Sequence, residues 1–76
     1  MIKNVTYTGT MLKVTVSGGV NNGCVVRANG TGLVTRFIDY GHLEGDLVAT
    51  SGDTIKVDVI DGVSGKTTNT VTIVIA

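Results

Sequence analysis

No proline interrupts this chain, no tryptophan is present, and cysteine and histidine occur once each, at Cys24 and His42. Proline is a common guard against unwanted pairing at sheet edges. In its absence any exposed edge must be protected by short strands, by charges or by a covering neighbour. A single cysteine excludes an intrachain disulfide. At 76 residues the chain has room for one domain, residues 1–76, and one modest core, because a small fold leaves much of its surface in water. Domains of this size commonly lean on disulfides, a structural metal or a partner subunit. With the first excluded, a protein partner is expected, a second copy of the chain among the options.

Charge is also scarce. The formal net charge is zero, and the six basic residues (Lys3, Lys13, Arg27, Arg36, Lys56 and Lys66) are scattered. No basic stripe follows a phosphate backbone, which argues against nucleic-acid binding. No apolar run approaches the ~20 residues that cross a bilayer as a helix. From Ile2 onward polar and apolar residues alternate, unlike a secretory leader, so a chain without signal peptide and without membrane association is expected.

What the sequence has in quantity is valine, isoleucine and threonine in alternation, broken at short intervals by glycine, asparagine and aspartate. That is the pattern of half-buried strands joined by turns. Residues 11–17 set Leu12, Val14 and Val16 against Lys13, Thr15 and Ser17, and stop at Gly18-Gly19. Asn22-Gly23 then offers the positive backbone angles of a tight turn. Residues 53–60 set Ile55, Val57 and Val59 against Thr54, Lys56 and Asp58, and residues 68–75 set Val71, Ile73 and Ile75 against Thr70, Thr72 and Val74. The polar stretch between them suits a hairpin with a loop of four or more residues. Weaker strands are expected at 2–8, 24–29, 33–38 and 46–50. About seven short strands at this spacing predict an all-β antiparallel sandwich, with a small barrel of SH3-like or other type as the alternative. Its core is expected to hold Leu12, Val14, Val16, Ile55, Val57, Val59, Val71, Ile73 and Ile75.

The segment Gly-Asp-Thr-Ile-Lys-Val-Asp-Val-Ile-Asp-Gly-Val-Ser-Gly-Lys-Thr-Thr-Asn-Thr-Val-Thr-Ile-Val-Ile, residues 52–75, resembles the closing hairpin of bacterial and phage immunoglobulin-like domains. A Gly-Asp start, an alternating strand, an Asp-x-x-x-Gly turn and a Thr/Val strand carry the likeness, over the last third of the chain. It implies an immunoglobulin-like sandwich. The chain departs from the antibody pattern in lacking tryptophan, a cysteine pair and a tyrosine ahead of the Ile55 strand. Some bacterial members of this group carry a Lys–Asn isopeptide bond between first and last strands. Lys3 and Asn69 have roughly that placement, without a diagnostic motif, and read as an edge charge and a turn-exit residue.

An enzyme should show a nucleophile with its base, a carboxylate pair, or ligands at metal spacing. None is complete here. Cys24, beside Val25 and Val26, reads as a small buried apolar residue. His42 could meet it only through tertiary proximity. Asp39, Glu44 and Asp46 lie close in sequence but lack the spacing of a calcium loop and read as a solvated turn. The sequons Asn4-Val5-Thr6 and Asn29-Gly30-Thr31 read as chance in a threonine-rich β protein. No catalytic residue, cofactor or metal is expected.

Two stretches stand out as interaction surface. Residues 36–42 hold Phe37 and Tyr40, the histidine and one of two arginines, and Arg36, Tyr40 and His42 suit a protein interface because such side chains join large surface to polar tips. On the nominal outer face, Ile60, Val63 and Val74 are expected to form an apolar patch for a partner. With the family likeness, these features lead to the expectation of a virion accessory protein of a tailed phage. A capsid decoration protein bound to the major shell or a tail protein is the form expected. The alternatives are a carbohydrate or cell-surface binding module, and a small inhibitor or anti-defence protein.

Overall fold

Alternation in sequence becomes alternation in burial wherever one face of a strand meets a core. The computed structural model, which describes residues 1–18 and 20–76, has eight strands, β1 (Ile2–Thr8), β2 (Met11–Val16), β3 (Cys24–Ala28), β4 (Thr31–Gly32), β5 (Thr35–Asp39), β6 (His42–Asp46), β7 (Thr54–Asp61) and β8 (Val71–Val74), of which β2, β3, β6 and β7 follow this rule most clearly. They form two four-stranded antiparallel sheets of order β1-β2-β6-β5 and β4-β3-β7-β8. Two open sheets face to face make a sandwich and not a closed barrel. The order is that of the immunoglobulin constant-type sandwich, with β4 added beside β3.

The core is aliphatic. Leu12, Val14 and Val16 of β2 and Leu43 of β6 meet Val26 and Ala28 of β3 and Ile55, Val57 and Val59 of β7, with Ile2, Cys24 and Ile75 closing the ends. The expected core residues are buried except Val71 and Ile73. Those two are only partly buried because β8 is a sheet edge with a neighbour on one side.

Local chemistry sets the boundaries. Asn29 and Gly30 both have positive φ, at 51° and 82°, and close a two-residue hairpin in which Ala28 faces Thr31. Asn29 is therefore a turn former whose side chain also accepts from Lys56 N at 2.9 Å. Asn22-Gly23 adopts no positive φ. Instead Asn21 makes the turn, with its carbonyl accepting from Cys24 N and its Oδ1 from Gly23 N. Gly18 has φ of 86°, as expected at the end of β2. Gly19 lies outside the described residues.

Two expected strands fall differently. Residues 33–38 do not form one strand, because the chain changes sheets at Leu33 and Val34. Leu33 N still donates to Val26 O, while Val34 O already accepts from Asp46 N. Thr35 Oγ1 secures the crossing by accepting from Val26 N and donating to Leu33 O, each at 3.0 Å. The strand expected at 46–50 lies at His42–Asp46 instead. Gly45 points inward there, where a Cβ would sit 3.2 Å from the Val26 and Leu33 side chains, a tight fit that those side chains would have to yield to.

Residues 47–49 are tied down by a tyrosine. Tyr7 Oη donates to Leu47 O at 2.7 Å and accepts from Ala49 N at 3.2 Å. Antibody-type domains hold this corner with a tyrosine near β7; here the first strand provides it. Asn69 makes a second tie by accepting from Ile2 N at 2.8 Å, while Lys3 stands exposed at a bulge in β1.

Candidate functional site

One end of the sandwich gathers three connections: residues 20–23 before β3, the β5–β6 turn at Tyr40-Gly41, and the β7–β8 turn from Gly62. Each is fixed by its own aspartate or asparagine. Asp39 Oδ1 accepts from Gly41 N at 2.8 Å and from His42 Nδ1 at 2.6 Å. Asp61 Oδ1 accepts from Val63 N at 2.8 Å and from Ser64 N at 3.3 Å, and Gly65 turns the chain back with φ of 75°. This is the Asp-x-x-x-Gly turn legible in the sequence. Side chains that bond their own backbone two residues ahead make such turns rigid without burial.

The three connections are also bonded to one another. Val20 N donates to Tyr40 O at 2.9 Å, and Gly62 N donates to Gly23 O at 3.0 Å. Asn21 Nδ2 donates to Asp61 Oδ2 at 3.1 Å. On this braced end Tyr40 is 75% exposed and Val63 88% exposed. The Tyr40 ring meets the edge of Phe37 at a centroid distance of 5.9 Å, which holds it up as a fixed protrusion. Beside it, a shallow pocket of about 220 Å³ lies between Val20, Asn21, Cys24 and Asp61.

The residues expected to form the interface are divided by the fold. Tyr40, His42 and Val63 belong to this end, and Ile60 adjoins it on the outer face of the β7 sheet, opposite Val25. Val74 does not. It pairs with Thr54, six residues along β7 from Ile60, or roughly 20 Å at the rise of a strand. Between them on the same face lie Lys56 and the Arg27–Asp58 ion pair, so Ile60, Val63 and Val74 form no continuous apolar patch. Arg36 is likewise drawn away. Its guanidinium donates to both carboxylate oxygens of Asp46, at 3.1 and 2.8 Å, and lies 3.4 Å from Glu44 on the outer face of the first sheet. Glu44 and Asp46 thus stand in a strand, not in a solvated turn.

No group of three or more metal-ligating side chains assembles among the described residues. Cys24 is buried on the inner face of β3, while His42 is exposed at the start of β6 in the other sheet. Glu44 and Asp46 share Arg36, while Asp39 is bonded to Gly41 N and His42. The bracing residues Val20, Asn21, Asp39 and Asp61 were not singled out from sequence as site residues, although Asp-x-Gly and Asp-x-x-x-Gly are both recognisable turn signals. No family model, curated protein or solved structure matches this chain.

The aspartates give the fold a defined acid limit. Asp39 is held below the usual carboxylate range by His42 and then by Gly41 N–H, Asp46 by the Arg36 guanidinium, and Asp61 by the N–H groups of Val63 and Ser64. A depressed folded-state pKa means stability that is complete above the unfolded value, about 3.9, and lost as pH falls through the lower folded values. Melting followed by circular dichroism is expected to hold level from pH 7 to about 5 and to drop below about 4. In Asp61→Asn, where the group no longer titrates, the drop should be shallower. A melting temperature unchanged down to pH 2 would contradict this account.

Proposed function

We propose that the chain is a non-enzymatic structural and binding protein, a phage virion accessory protein such as a capsid decoration protein, that docks on a repeated shell or tail protein through its three-loop end. One observation carries the binding part of this reading: Tyr40 and Val63, far apart in sequence, stand exposed on connections locked together by backbone hydrogen bonds. Interfaces favour large side chains that lose little freedom on binding, and a braced tyrosine satisfies that condition. The likeness of residues 52–75 to phage and bacterial immunoglobulin-like domains supplies the virion part. A neutral chain has no long-range field to steer a partner, so contact must rest on shape and apolar area, many times repeated on a particle.

The test is co-sedimentation of the tagged chain with intact particles. Wild type is expected in the particle fraction, with only mild loss as salt rises through the physiological range. Tyr40→Ala is expected to weaken occupancy by about 10- to 30-fold, the loss of a hot-spot side chain, while its melt stays close to wild type. A chain that remains with soluble host proteins, or a Tyr40→Ala variant that binds particles as wild type does, would overturn the reading. Retention on a glycan array would assign the same end to carbohydrate instead.

A further inference from the structure

The sandwich has four sheet edges, and three are guarded. β4 has two residues, β1 carries Lys3 at a bulge, and β5 carries Arg36 and Asp39 around a bulge. β8 has no guard. From Thr67 to Ala76 the sequence Thr-Thr-Asn-Thr-Val-Thr-Ile-Val-Ile-Ala contains no charge and no proline. An unguarded edge of this composition pairs with another strand.

The direction of its backbone groups is fixed by β7. Ile75 N donates to Asp53 O and Ile75 O accepts from Gly52 N, so the odd-numbered residues of this strand bond inward to β7. The N–H and C=O groups of Thr72 and Val74 consequently face the open edge. Next to that edge a cleft of about 510 Å³ separates β8 from β1, lined by Val5, Tyr7, Ile73 and Ile75. Val71 and Ile73 are partly buried against the core and keep some exposed surface beside that edge.

We propose that the β8 edge is a dimerisation site whose occupant is β8 of a second copy of this chain, antiparallel, with the two-fold axis at Thr72. This register brings outward-facing groups together across the axis. Thr72 opposes Thr72 of the second copy, so its outward-facing N–H and C=O meet their own counterparts, and Val74 is set opposite Thr70. On the outer face this gives a Thr–Thr pair and β-branched Val–Thr pairs, both favourable across strands. On the inner face Val71 opposes Ile73, which extends the core under these partly buried residues. A shift by one residue would set inward-bonded groups against the partner's edge and lose the ladder. A two-fold contact of this kind is self-complementary and closed, so it ends at a dimer. The absence of charge removes the like-charge opposition that protects most edges from self-pairing. The contact lies away from the three-loop end and does not depend on what that end binds.

Sedimentation of the purified chain from about 10 μM to about 1 mM tests the pairing, a range suited to an interface smaller than a standard one. Wild type is expected to rise from monomer mass towards twice that mass. Thr72→Lys, which sets two cations face to face on the axis, and Thr72→Pro, which removes an N–H that the monomer fold does not use, are expected to stay monomeric with melts like that of dilute wild type. In a Cys24→Val background, Thr72→Cys should form a disulfide-linked dimer on oxidation. Opposed residues of a hydrogen-bonded pair lie about 5.5 Å apart at Cα, within disulfide reach. Lys13→Cys in the same background should not. A wild type that stays monomeric at 1 mM, Thr72 variants that dimerise as well as wild type, or equal cross-linking at both positions would overturn the proposal.

Discussion

Val57→Asp is expected to leave the chain without a cooperative thermal transition. Val57 has no exposed surface and sits mid-strand between Ala28 on β3 and Val71 on β8. Around it lie only aliphatic side chains, and no polar or charged residue is buried among the described residues. A carboxylate there would have neither a counter-charge nor a donor, at a cost of several kcal/mol. A domain of this length has about 4–11 kcal/mol of stability in total, at the usual 0.05–0.15 per residue. The variant should therefore show a flat melt and fast proteolysis. Thr54→Glu, on the exposed face of the same strand, should change stability by no more than about 0.5 kcal/mol. A sharp melt for Val57→Asp near the parent's temperature would mean that the inward and outward faces of β7 are exchanged.

Gly62→Ala is expected to damage both stability and binding through a single atom. A Cβ at Gly62 would lie 2.8 Å from Gly23 O, and that oxygen is backbone, held in turn by Gly62 N itself. Neither loop can yield without breaking the bond that joins them. A cost of about 1–3 kcal/mol is expected, the range of overpacking in a close fit. It should appear as a fall in melting temperature of about 4–8 °C for each kcal/mol. Because the same bond braces Val63 beside residues 20–23, particle occupancy should fall further than stability alone explains. Gly23→Ala is the informative comparison, since its nearest neighbour is the end of the Asn21 side chain at 3.2 Å and not backbone. That variant should cost less than about 1 kcal/mol. Equal melts for the two alanine variants would show that the contact between the loops has no mechanical role.

The parts of the fold legible in sequence were those where alternation ran long enough to be unambiguous. β2 differs from the expected residues by one at its end and β7 by one at each end, because Leu12, Val14 and Val16, like Ile55, Val57 and Val59, leave a single register that buries aliphatics. β6 was hidden by Gly45, which occupies an inward position where an aliphatic would announce a strand. Its row shows Leu43 alone, because Val26 fills the remaining space. The division of 33–38 between sheets depends on Thr35 bonding across the crossing, a contact with no periodic signature. Of the candidate site, Tyr40 and His42 were visible as rare residue types. That Val63 joins them follows from the strand order, which brings the β5–β6 and β7–β8 turns to the same end, and Val74 is sent the other way by its pairing with Thr54. The positions of turns could be read locally, but their neighbours could not.

The ties made by β1 also govern when the chain can become a protein. Ile2 waits for Asn69, which is 67 residues later, and Tyr7 waits for Leu47 and Ala49. At about 5–20 residues each second, the hairpin of β1 and β2 therefore lacks its long-range ties for seconds during synthesis. Long-range pairing of this kind places the domain among slow folders, on the scale of milliseconds to seconds once complete. The last strand of the domain to be made is the uncharged β8. The nascent domain thus completes its least protected edge last, while the long-range ties of its first strand are still to form.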